Sequence, residues 1–252
     1  MLEKEAQQRT FSEVMELFVF PEVTRRKEAG TLPEKFRLNA AQILFYSDGR
    51  RPAVRLNEET KIIATVKFKN IFKKQKGEVV FWNEIDKVEN LRLMDEEEKE
   101  YGHVSMLRLN GNWLVAFDFR YNKGLAREHF KVAKEFYRAA KNAHKNKWLA
   151  PFVDNLFSCI ELLAKSELLL LSEVKKKTTH AAIQMKYNRF INYGNEKSNF
   201  KAALNKLSAL RHSARYLSSS FSLLDSEARE HLNTAKEMLD YLKARLSKSR
   251  NF

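Results

Sequence analysis

Residues 112–144, "NWLVAFDFRYNKGLAREHFKVAKEFYRAAKNAH", carry two different repeats on either side of "YNKG" at 121–124. Before it, Trp113, Val115, Phe117 and Phe119 fall on one face, with Asp118 and Arg120 on the other, the period of a strand with one buried face. After it, Phe130, Ala133, Phe136, Tyr137 and Ala140 recur at steps of three and four, the period of a helix. Lys131, Lys134, Arg138 and Lys141 stand between them, so one stripe of that helix is apolar and another is basic. The change of period predicts an α+β chain with a boundary here: a β-rich domain over 1–122 and a helical domain over 123–252.

Upstream, residues 10–30 read as a short helical lead-in, interrupted at Pro21 and ending near Gly30. "VKFKNIF" (66–72) alternates Val66 and Phe68 with Lys67 and Lys69. Asp48-Gly49 and Asn110-Gly111 lie between apolar runs and supply the positive φ values of tight hairpins. An antiparallel sheet or small barrel of six or seven strands is expected, with the acidic run at 95–100 as a solvated loop.

Downstream, Pro151 opens a second helix that is apolar on most sides and so belongs at the centre of a bundle. Thr179 can cap a third helix ending at Gly194, Ser198 a fourth, and Asp225 or Ser226 a fifth. Short loops between about five helices predict an antiparallel bundle.

The totals narrow the chemistry. A chain of 252 residues with 44% hydrophobic content can bury two ordinary cores. Through residue 122 the chain carries 21 basic and 20 acidic side chains, and beyond it 25 and 12, so the helical half holds nearly all of the net charge of +14. Such an excess attracts phosphates, acidic proteins or anionic lipid. Cys159, the single cysteine, sits in an apolar segment and reads as a buried structural thiol. Six scattered histidines lack metal-ligand spacing, no glycine pattern encodes a dinucleotide or phosphate loop, and no hydrolase or metalloprotease motif occurs. No metal and no cofactor is expected. The N-terminus lacks a signal-peptide order and no apolar run is long enough to span a bilayer, which sets cytoplasmic residence and no membrane as the expectation.

Candidate binding residues concentrate in "LSALRHSARYL" (207–217), where Arg211, His212, Arg215 and Tyr216 interrupt an apolar stripe of Leu207, Leu210, Ala214 and Leu217. Guanidinium groups hold phosphate through bidentate hydrogen bonds, and a tyrosine or histidine can stack or hydrogen-bond. Lys206 and Arg138 complete the candidate phosphate set. His180 reads as a surface or capping residue. The bland reading is that Arg211, His212 and Arg215 form the wet side of an amphipathic helix.

The succession "AREHFKVAKEFYRAAKNAH", "ELLAKSELLL", "TTHAAIQMKYNRF", "AALNKLSALRHSARYL" and a long terminal helix resembles the HEPN (higher eukaryotes and prokaryotes nucleotide-binding) family over residues 125–248. Leu207, Leu210, Arg211, Ala214 and Tyr216 match an "LxxLRxxADY"-like segment of some members, while Arg215 stands where that variant commonly has an acid. The resemblance implies a helical bundle that dimerises through its motif helices and binds RNA or nucleotide, in defence or stress systems. Members with R-x(4-6)-H are metal-independent ribonucleases. Counted from Arg211, the required histidine would fall at 216–218, which are Tyr216, Leu217 and Ser218. Arg138 and His144 have the right spacing, but they lie about 240° apart on one helix. The expected function is RNA or nucleotide binding without the standard ribonuclease pair. Two alternatives stand beside it: a dimerisation or partner-docking module without nucleic acid, and a metal-independent ribonuclease whose variant site uses His212 and Arg211 or Arg215 across a dimer. The β-rich half suggests no family and no named protein partner.

Overall fold

The computed structural model describes residues 9–215, 222–247 and 250–251. The chain divides into two compact units, one formed by residues 1–119 and 249–252, the other by 120–248.

The first unit begins with helix over 9–14, a π turn over Met15–Val19 and helix α1, Phe20–Glu28. Pro21, expected to interrupt this lead-in, lies in the first turn of α1 instead. There its missing N–H costs little, and the wider π turn ahead of it, closed by Phe20 N–H to the Met15 carbonyl, lets the helix run on. The strands are β1 (Ala40–Phe45), β2 (Ala53–Leu56), β3 (Ile62–Phe68), β4 (Ile85–Leu93), β5 (Gly102–Leu109), β6 (Asn112–Asp118) and β7 (Arg250–Asn251). Among the described residues they form two antiparallel sheets and no closed barrel: β2-β1-β5-β6-β7, and the separate pair β3-β4. Register puts Ala41, Leu56, Met106 and Val115 in one cross-strand row, and Ile43, Val54, Val104 and Phe117 in the next. This face closes on Met15, Val19 and Phe18 of the lead-in, which makes the core of the unit. Asn110 (φ 50°) and Gly111 (φ 84°) turn the β5–β6 hairpin in the left-handed region that this dipeptide favours.

The acidic run at 95–100 departs from the solvated loop expected of it. Asp95–Glu98 form a single helical turn, α2, and Glu97 makes a bidentate pair with Arg55 of β2 at 2.6 and 2.8 Å. The charge run is therefore partly consumed in holding the turn to the sheet.

The second unit is an antiparallel bundle of five helices: α3 (Lys123–Lys145), α4 (Leu149–Leu170), α5 (His180–Asn192), α6 (Ser198–Arg215) and α7 (Asp225–Ser247). Helix α4 is apolar almost all round and packs against each of the other four, which is why it is the buried centre. Helix α3 meets it through small side chains, with Ala126, Ala133 and Ala140 fully buried at seven-residue intervals. Thr179 Oγ1 accepts from the Ala182 N–H at the start of α5, and Gly194 (φ 78°) follows its end. Among the described residues no helix is long and apolar enough to cross a membrane.

Candidate functional site

The site is built on α4. Asp154, Phe157 and Glu161 follow at steps of three and four, so they share one face of a mostly apolar helix. Two other helices bring their polar side chains to this face.

From α6 come Arg211 and Arg215, one turn apart. Arg211 Nε donates to Asp154 Oδ1 at 2.7 Å and Arg215 Nε donates to the same oxygen at 3.0 Å. Arg215 Nη2 lies 2.9 Å from it as well. The Arg211 guanidinium also lies over the Phe157 ring, 4.6 Å from its centre, a cation–π contact. Arg211 is accordingly the more enclosed of the two, at 20% side-chain exposure against 52% for Arg215. Partial burial raises the Asp154 pKa, but the hydrogen bonds from Arg215 and Arg211 outweigh it and hold the carboxyl below its ordinary value.

Two guanidinium groups against one carboxylate leave a surplus positive charge. Asp154 engages the Nε side of each arginine. Among the described residues, both Nη groups of Arg211 and Nη1 of Arg215 have no hydrogen-bond partner. A planar fork with its base fixed and its outer donors open is suited to the oxygens of a phosphate.

From α5 comes His180, whose Nδ1 is hydrogen-bonded to the buried carboxylate of Glu161. Its ring centre is 6.5 Å from that of Phe157. The row along α4 thus reads Arg215, Asp154, Arg211, Phe157, His180, Glu161. The sequence expectation of a surface or capping role for His180 omitted this partner, which lies 19 residues away on another helix.

The remaining candidates are dispersed. His212 is exposed on the same turn as Arg211, about 100° around the helix. Lys206 is exposed, and its charge is felt by His231 on α7, whose pKa is lowered mainly by burial. Arg138 is exposed on α3, a different helix from the one that carries Arg211 and Arg215. His144, five intervening residues beyond Arg138, is bonded to Asp225 at 2.9 Å. Tyr216 lies outside the described residues. Among the described residues no group of three or more His, Cys, Asp or Glu side chains could hold a metal ion.

What sequence reasoning missed is Asp154, Phe157 and Glu161. The available signal was two acids with an aromatic between them at helical spacing in the most apolar helix of the chain, where an unpaired carboxylate is costly.

An antiparallel five-helix bundle carrying a paired-arginine ridge defines the class of this unit. Comparison with protein families finds the HEPN domain over residues 126–245, the C-terminal half of the chain, in agreement with the resemblance read from its helices. No curated protein and no solved structure matches the chain.

Proposed function

We propose that the chain is a cytoplasmic RNA- or nucleotide-binding protein whose HEPN domain takes phosphate on Arg211 and Arg215. The HEPN match supports a nucleotide- or RNA-related function in general terms. The observation that carries the finer reading is the shared acceptor: one oxygen of Asp154 fixes two guanidinium groups a helical turn apart and, among the described residues, leaves both Nη groups of Arg211 and Nη1 of Arg215 without a partner. His212 and Tyr216 are the neighbouring candidates for stacking or hydrogen bonding, and Lys206 and Arg138 for added charge. Absence of a histidine at 216–218 favours binding over the family's Arg/His ribonuclease chemistry, and family habit favours a homodimer in a defence or stress setting.

Fluorescence polarisation of labelled single-stranded RNA at two salt concentrations tests this. Arg211→Ala with Arg215→Ala is expected to weaken binding at least tenfold and flatten its salt dependence, because fewer counterions are released. Binding unchanged by the double substitution transfers the domain to the partner-docking reading. Metal-independent cleavage that yields cyclic phosphate ends and stops with His212→Ala transfers it to the ribonuclease reading.

A further inference from the structure

Helix α3 carries a second basic feature that shares no residue with the α4 ridge except the proposed accessory Arg138. Successive residues of an α-helix are about 100° apart. On that spacing Arg127, Lys131, Lys134, Arg138, Lys141 and Lys145 all fall within an arc of about 80°. Every position of α3 from 127 to 145 within this arc is a cation. The only acids of the helix, Glu128 and Glu135, lie about 80–100° from the centre of the arc.

All six side chains are exposed except Arg127, which is half-buried. Among the described residues none of the six makes an ion pair; Lys134 alone has a ring contact, over Phe130. Six like charges at steps of three and four repel one another, and no acid lies within the arc to offset them. An external polyanion would relieve that repulsion.

The dimensions select the kind of polyanion. The arc extends about 27 Å along the axis at 1.5 Å per residue, with cations roughly 4.5–6 Å apart. A mononucleotide could engage one or two of them. An extended single strand of roughly four nucleotides or more engages the row, which is at the low end of single-strand site sizes. A bilayer surface fits less well: the helices that lie on membranes bury an apolar face in the lipid, whereas the apolar face of α3 is occupied by the bundle core.

We propose that the outer arc of α3 is a track for a single-stranded phosphodiester chain. The inference deepens the phosphate-binding reading above by making the ligand a polynucleotide, and apart from Arg138 it stands on separate residues. RNA and DNA strands share the recognised chemistry, so both enter the test.

The experiment measures affinity of the full chain for uridine monophosphate, U4, U12 and dT12 across 50–300 mM salt, in the wild type, in Lys131→Ala/Lys134→Ala/Lys141→Ala, and in Arg211→Ala/Arg215→Ala. U12 is expected to bind at least tenfold more tightly than the monophosphate. The triple substitution is expected to lower the slope of log affinity against log salt by about 2, from about 0.7 per phosphate contact. Tighter U12 than dT12 binding identifies RNA as the source, and equal binding identifies either strand. Equal affinity for monophosphate and U12, or a slope unchanged by the triple substitution, overturns the track. If only the Arg211/Arg215 variant loses binding, the track fails and the α4 site stands; if only the triple variant does, the reverse holds. Binding to phosphatidylserine vesicles in preference to U12 also overturns it. The triple variant's helicity and melting temperature, expected to be at or above the wild-type values, establish that lost binding is not lost fold.

Discussion

Arg211 and Arg215 donate from their Nε atoms to the same oxygen of Asp154, yet only Arg211 is seated on the Phe157 ring. The two arginines therefore share a partner but not an environment. Arg211→Ala removes a half-enclosed ion pair and the packing of its stem and guanidinium on the aromatic, whereas Arg215→Ala removes a mostly exposed pair that water screens. The expected loss is roughly 1–2 kcal/mol for Arg211→Ala and under about 1 kcal/mol for Arg215→Ala. Urea midpoints at pH 7 check the order, and equal losses would remove Phe157 from the account.

Asp154 makes part of this tie sensitive to acid. Its carboxyl titrates below the ordinary value of 3.8 in the folded chain. Its contribution is therefore present above that value and lost as pH falls through the lower folded one. Asp154→Asn is expected to be less stable than wild type at pH 6 by about 1 kcal/mol, the difference shrinking as the pH drops below about 4. A gap that is constant from pH 6 to pH 3 contradicts the ion pair as its source.

Glu167 on α4 gives dependence of the opposite sign. It is 3% exposed and bonded to Arg245 and to Tyr187 Oη, and burial pushes its pKa up to about 7 in spite of the guanidinium. The unfolded chain loses this proton near 4.5, so the stability associated with the protonated form is present below 4.5 and is lost as pH rises towards 7. Glu167→Gln should remove that loss. Denaturation at pH 5 and pH 8 is expected to show the variant gaining roughly 2.5 kcal/mol relative to wild type between the two, at 1.36 kcal/mol per unit over the two units from pH 5 to the folded value of about 7.

Cys159 is fully buried and its thiol is pushed up to about 12 by desolvation. Neither access nor thiolate is available at pH 8, so modification by a thiol-specific disulfide reagent has to wait for opening of the bundle. The native chain is expected to react at least a hundredfold more slowly than the urea-unfolded chain, with a rate that follows stability across the variants above. Fast modification under native conditions would place the central helix in a loose, open core.

Local pattern was enough for much of this architecture. The period of two in 113–119 and the period of 3.6 beyond 125 mark β6 and α3, and Asn110-Gly111, Thr179 and Gly194 mark turns and helix ends through backbone conformations that those residues favour. Pairing between distant segments was not legible. Nothing in 62–68 and 85–93 says that they form a sheet of their own, and the two residues of β7 are too short to carry a period. The same holds at the ridge. Arg211 stood out in the sequence as a cation on an apolar helix, but its acceptor is 57 residues away and is set by how α4 and α6 pack. The outer arc of α3 was legible at Lys131, Lys134, Arg138 and Lys141, while its ends at Arg127 and Lys145 emerge only once the helix limits are known.

Ala126, Ala133 and Ala140 key α3 to the bundle at seven-residue intervals, and this fixes which way the rest of the helix faces. Substitutions along the outer side leave that phase alone. Adding a single residue near position 136 would not: every later side chain would swing by about 100°, taking Ala140 out of its seam and sending Lys141 and Lys145 off the outer line together. Length, more than composition, is what this helix has least freedom to change.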